Sequence, residues 1–113
     1  MAISLTNDSA TISTTEYSLP TDSTSREPQT DDCVLQAWLD VSALEAGDEF
    51  MIRLYEKING SAELIVEEWT LVGAQARPGW TMPTVIVGEG WDVTVTKIAG
   101  TDRSIGWSLR KIT

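Results

Sequence analysis

A chain of 113 residues, 42% hydrophobic and 22% charged, has the composition of one soluble globular domain built around a single core. Its formal net charge of −9, with no basic run anywhere, argues against the cationic footprint that nucleic acid or an anionic membrane surface requires. With no histidine and one cysteine, the chain lacks Ser-His-Asp and Cys-His sites, most zinc sites and any intramolecular disulfide.

Residues 1–32 form a Ser/Thr-rich arm and loop, set apart from a β-sandwich domain over residues 33–113. The first residues carry neither the basic nor the apolar region of a secretory signal, so Sec-type export is not expected. Ile12 to Leu19 alternates imperfectly, as an edge strand or an arm laid on a neighbouring subunit would. Pro20 to Asp32 reads as a long polar loop. Cys33 opens an apolar run and is expected to be buried; no base is at hand to make it a nucleophile.

Val34 to Asp40 is predicted as a strand with Leu35, Ala37 and Leu39 on one side and Gln36 and Trp38 on the other. Ser42 is placed to cap one short helical turn that ends at Gly47. Glu49 to Lys57 is a strong strand with Phe50, Ile52 and Leu54 directed inward. It runs into Asn59-Gly60, a type I′ hairpin signal. On the return strand, Ala62 to Leu71, the apolar phase shifts, and a bulge near Glu67-Glu68 reconciles its two halves. Pro78-Gly79 marks a turn, and Thr81 to Val87 is a further strand that Pro83 confines to an edge or bulge.

Gly90 to Lys111 reads as a hairpin. Trp91, Val93 and Val95 share one face of the first arm, and Ile105, Trp107 and Leu109 share one face of the second. Ala99-Gly100-Thr101-Asp102 lies between them. The fold class expected is all-β: a single-domain antiparallel β-sandwich, jelly-roll-like, with about 7–8 strands.

No motif carries chemistry. Gly88-Glu89-Gly90 lacks the lysine and the helix of a phosphate cradle. Glu56, Glu67, Glu68 and Asp92 are read as solvated strand-face carboxylates rather than a glycosidase pair. Asp31-Asp32 and Asp40 lack calcium-loop spacing. The chain is thus expected to be no enzyme and to hold no cofactor or metal. Trp91 and Trp107 are in phase with the core. Trp38, Trp80 and Tyr55 are candidates for an exposed aromatic surface, suited either to sugar stacking or to a protein interface. Arg77, beside Trp80, belongs with that loop. Lys97, Arg103, Arg110 and Lys111 form a cationic margin suited to contact between copies.

Thr14 to Leu19, Gln29-Thr30-Asp31-Asp32, Ala46-Gly47-Asp48, Leu54-Tyr55-Glu56-Lys57, Gly90-Trp91-Asp92, Gly100 to Arg103 and Trp107 to Lys111 resemble a group of small virion proteins of tailed bacteriophages. The resemblance covers most of the chain from Ala10 onward. It implies a capsid decoration (cement) protein that sits on the exterior of the assembled shell and clamps neighbouring subunits. The implied partners are the major capsid protein and other copies of itself, as dimer or trimer, assembled in the host cytoplasm without nucleic acid or membrane. The contact residues expected are Tyr17, Trp38, Tyr55, Arg77, Trp80, Arg103 and Arg110. The competing reading is a carbohydrate- or receptor-binding module on a tail or fibre, with Trp38, Trp80 and Tyr55 as its platform.

Overall fold

The computed structural model describes residues 2–113; Met1, at the head of the predicted arm, lies outside them. Nine strands follow one another: β1 (Ile3–Ile12), β2 (Tyr17–Ser18), β3 (Cys33–Asp40), β4 (Glu49–Glu56), β5 (Leu64–Val72), β6 (Gly79–Thr81), β7 (Val85–Val87), β8 (Asp92–Ala99) and β9 (Arg103–Ile112). They form two antiparallel sheets. Sheet I runs β1-β9-β3, with β6 and β7 end to end along the far edge of β3, and sheet II runs β2-β8-β4-β5. If β6 and β7 count as two halves of one strand, the order is 1-8-3-6 over 2-7-4-5. That is the winding of a jelly roll, within the β-sandwich class read from the sequence. Pro83 explains the break: it has no N–H to give the ladder, and it sits between the two halves.

The core lies between the sheets. Leu35, Ala37, Leu39, Ile105, Trp107 and Leu109 face Phe50, Ile52, Leu54, Val93 and Val95 across it, all buried. Trp91 and Trp107 are buried, as their phase predicts.

Four local expectations are corrected. The segment Gly90 to Lys111 is not a hairpin. β8 pairs with β2 and β4 in sheet II, whereas β9 pairs with β1 and β3 in sheet I. The connection is an arch across the core, because alternation shows which side chains share a face and not which backbones pair. The predicted arm is not set apart either: β1 runs along β9 for ten register pairs and β2 pairs with β8, so Ile3–Ile12 and Tyr17–Ser18 are sheet edge, and the loop follows them. At Asn59-Gly60 only Gly60 has positive φ, at +78°, and its N–H donates to the Lys57 carbonyl at 2.9 Å. The turn is therefore not type I′. No helical turn forms after Ser42. The Asp40 carboxylate accepts the Ser42 N–H at 3.0 Å and its hydroxyl at 2.6 Å, and two successive turns bury Leu44 instead.

The bulge is real and falls beside the expected spot. Leu54 opposes Glu67 and Tyr55 opposes Ile65, so Val66 is the extra residue.

Asp48 ties the arch down. Its carboxylate accepts Arg103 Nε at 2.7 Å and the N–H groups of Glu45 and Thr101 at 2.9 and 3.1 Å. Gly100 has φ +92°, and a Cβ there would lie 2.7 Å from Asp48 Cα, so the turn closes only around glycine. The Arg103 hydrogen bond and the two backbone N–H groups lower the Asp48 pKa from 3.8 to about 2. A lowered folded-state pKa contributes stability above the ordinary value and loses it as pH falls through the folded one. Acid unfolding followed by circular dichroism should therefore show a loss between pH 3.8 and about 2 that Asp48→Asn removes, from a less stable starting point.

Candidate interaction surface

Residues in register across a sheet share a face. On the outer face of sheet I, Ile3 pairs with Ile112, Ile112 with Val34, and Val34 with Ile86. One aliphatic side chain from each of four strands thus forms a continuous row on the side away from the core. In the next row Leu5 pairs with Arg110 and Arg110 with Gln36, whose Nε2 donates to Thr84 Oγ1 at 3.0 Å. Ile86 is 82% exposed, Ile3 59% and Leu5 56%.

The row continues around the edge of the sandwich. Ile86 also lines a groove between the edges of the two sheets, shared with Leu54, Ile58, Val66 and Val85. Farther along the same opening, Trp69 and Trp80 meet edge to face with ring centres 5.6 Å apart. Exposed apolar surface of this continuity marks a contact site more often than singly scattered apolar residues do.

The sequence-predicted contact residues scatter. Trp38 is half-buried on the outer face of sheet I; its indole N–H donates to Gln36 Oε1 at 2.8 Å, and the Arg110 guanidinium lies 4.3 Å from its ring centre. Arg110 borders the aliphatic row, and Trp38 stands one row beyond it. Trp80 packs on Trp69, and Arg77 is exposed beside it in an open groove with Gln75, Gly79 and Thr81. Tyr17 packs on Trp107 with ring centres 5.6 Å apart, and its hydroxyl donates to Asp22. Burial and that carboxylate raise its pKa to about 12.

Tyr55 is no exposed platform. It is 7% exposed, lies under the Arg26 guanidinium, and donates its hydroxyl to Glu16 at 2.6 Å. The cationic margin is largely neutralised: Lys97 pairs with Asp102, Arg103 with Asp48 and Glu45, and Lys111 with Asp31. Among the described residues, Arg110, Arg77 and Lys57 are the cations without a carboxylate partner.

One cluster escaped the sequence reading. The loop after β2 crosses the outer face of sheet II, and Arg26 pins it there. Arg26 Nε donates to Asp92 at 3.0 Å, Nη2 donates to Glu63 at 2.8 Å, and Nη1 lies 3.8 Å from Glu16. Asp92 is fully buried and also accepts the Ser18 hydroxyl at 2.8 Å. Burial costs Asp92 more than Ser18 and Arg26 return, so its pKa is raised, while Arg26, facing three carboxylates, is held more firmly protonated. Every charged group in the cluster has an ion-pair partner, with Glu63 Oε2 the one buried oxygen in it without a hydrogen bond, and the cluster straps the loop to the sheet. Among the described residues no group of three acidic, histidine or cysteine side chains is placed to hold a metal.

The architecture is that of a jelly-roll sandwich with an apolar ridge on one sheet. No protein-family model and no curated protein matches the chain. Among solved structures it is similar to a chain from Bacillus endospore appendages, which form a novel family of disulfide-linked pili. The TM-score is 0.53 at 14% identity, over 97% of this chain and 86% of that one. The likeness is one of fold.

Proposed function

We propose that the chain is a non-enzymatic structural protein of a phage virion, a decoration or cement protein that binds the assembled capsid shell and clamps neighbouring subunits. The observation that carries this reading is the aliphatic row Ile3–Ile112–Val34–Ile86, exposed at its two ends and half-buried between them, on the outer face of sheet I and turning the sandwich edge through Ile86 to Ile58 and Val66. A surface of that kind suits a protein partner, here the major capsid protein, and the resemblance of the sequence to small virion proteins supports a virion setting.

The test is co-sedimentation of the purified chain with capsid shells that lack it. Wild type is expected to saturate at a fixed number of copies per shell. Ile86→Asp is expected to lose most of that occupancy with an unchanged melting temperature, since the side chain is 82% exposed. Undiminished occupancy by the variant removes the row from the reading, and absence of wild type from the pellet removes the shell.

A second reading, a carbohydrate- or receptor-binding module on a tail or fibre, is favoured by the groove of Gln75, Arg77 and Trp80, where an exposed cation without a carboxylate partner stands beside an indole. Saturable binding on a glycan array, lost in Trp80→Ala, favours it over decoration.

A further inference from the structure

The four sheet edges are not equally defended. β2 is two residues long; β5 carries the Val66 bulge and Glu67-Glu68; the far edge of β3 is covered by β6 and β7, which Pro83 interrupts. These are the devices by which sheets avoid pairing with other chains. β1 has none of them. Its ten residues hold no proline, no bulge and one charge, Asp8, and its pairing with β9 is unbroken from Ile3 to Ile12. Ile3 to Ser9 are exposed on both faces, so this half of the strand stands clear of sheet II. Asp8 spends its carboxylate locally, accepting the N–H of Ser9 at 2.8 Å. The open stretch is therefore Ile3 to Asn7.

We infer that β1 is a dimerisation edge: it pairs antiparallel with β1 of a second copy, about a two-fold axis at Leu5, joining the two sheets I into one. A second copy is the occupant because the contact is self-complementary and because the stretch Ile3 to Asn7 carries no charge to oppose a like chain. Two chains of net charge −9 repel, and they approach at least cost along an uncharged stretch. With the axis at Leu5, the two Leu5 side chains meet, Ile3 faces Asn7, and Asp8 faces Ala2 rather than its twin. The same pairing brings the two aliphatic rows onto one continuous face. The inference holds whatever the outer partner is, and it is tested without one.

Analytical ultracentrifugation of the full chain should show a reversible dimer of twice the 12.4 kDa monomer mass. Leu5→Lys should convert it to monomer with an unchanged circular dichroism spectrum. For register, Leu5→Cys in a Cys33→Ser background should yield a disulfide-linked dimer under mild oxidation, and Asn7→Cys in the same background should not. A wild-type chain that stays monomeric into the hundred-micromolar range overturns the proposal. So does a trimer, a dimer indifferent to Leu5→Lys, or equal cross-linking at both positions.

Discussion

Replacing Arg26 by alanine is expected to destabilise the protein by about 2–4 kcal/mol, because the change leaves the buried Asp92 and the partly buried Glu63 without their cation. The figure sits below the full cost of breaking a wholly buried pair because the guanidinium is about a quarter open to water, at 24%. Denaturant unfolding checks it, and pH separates charge from packing. Asp92 already titrates above its ordinary range, and a group with a raised folded pKa loses stabilising effect as pH rises through that value. Without Arg26 its pKa moves higher still. The gap between wild type and variant should therefore be widest near neutrality and close as acid protonates Asp92. Adding Asp92→Asn to the variant should recover part of the loss. A gap that does not vary with pH would mean that Arg26 acts through its stacking on Tyr55 alone.

Trp91→Ala is expected to cost about 3–5 kcal/mol, the range for deleting a large buried aromatic side chain. The indole is fully buried, its N–H donates to the Asp31 carbonyl at 2.7 Å, and its backbone bridges to Gln29. Lys111 lies 5.2 Å over the ring while paired with Asp31. One side chain thus fills the core and fastens the end of the long loop before β3. Trp91→Phe keeps much of the packing and loses the hydrogen bond, so it should fall well short of the alanine loss. Thermal melts of the two variants measure the division directly. A phenylalanine variant as damaged as alanine would shift the weight to the Asp31 bond.

The inward faces of β3, β4, β8 and β9 were legible in the sequence because alternation and burial are the same fact seen twice: Leu35, Phe50, Val93 and Trp107 had nowhere else to point. Pairing was not legible. β8 and β9 carry the pattern of two arms of a hairpin, and only the other strands decide that each joins a different sheet. The surface was missed for a related reason. Outward-facing aromatics are the more conspicuous signal in the sequence, yet Trp38, Trp80 and Tyr55 are each engaged by neighbours, whereas the aliphatic row is made of residues in the wrong phase. Val34 is out of step with Leu35, and Ile112 is out of step with Leu109. An apolar residue on the solvent parity of a strand was the available signal, and register was needed to see that four such residues align. Arg26 gave no signal in a polar loop, since its partners lie far along the chain.

The ladder between β1 and β9, from Ile3 against Ile112 to Ile12 against Arg103, also imposes an order of events. β1 has no partner in its sheet until β9 has been synthesised, and β9 in turn needs β3 beside it. A chain emerging from the ribosome therefore carries its least defended strand unpaired while every intervening strand is made, with loop-closure entropy against the pairing. The same property that suits β1 to join two finished molecules makes it the segment most able to join two unfinished ones.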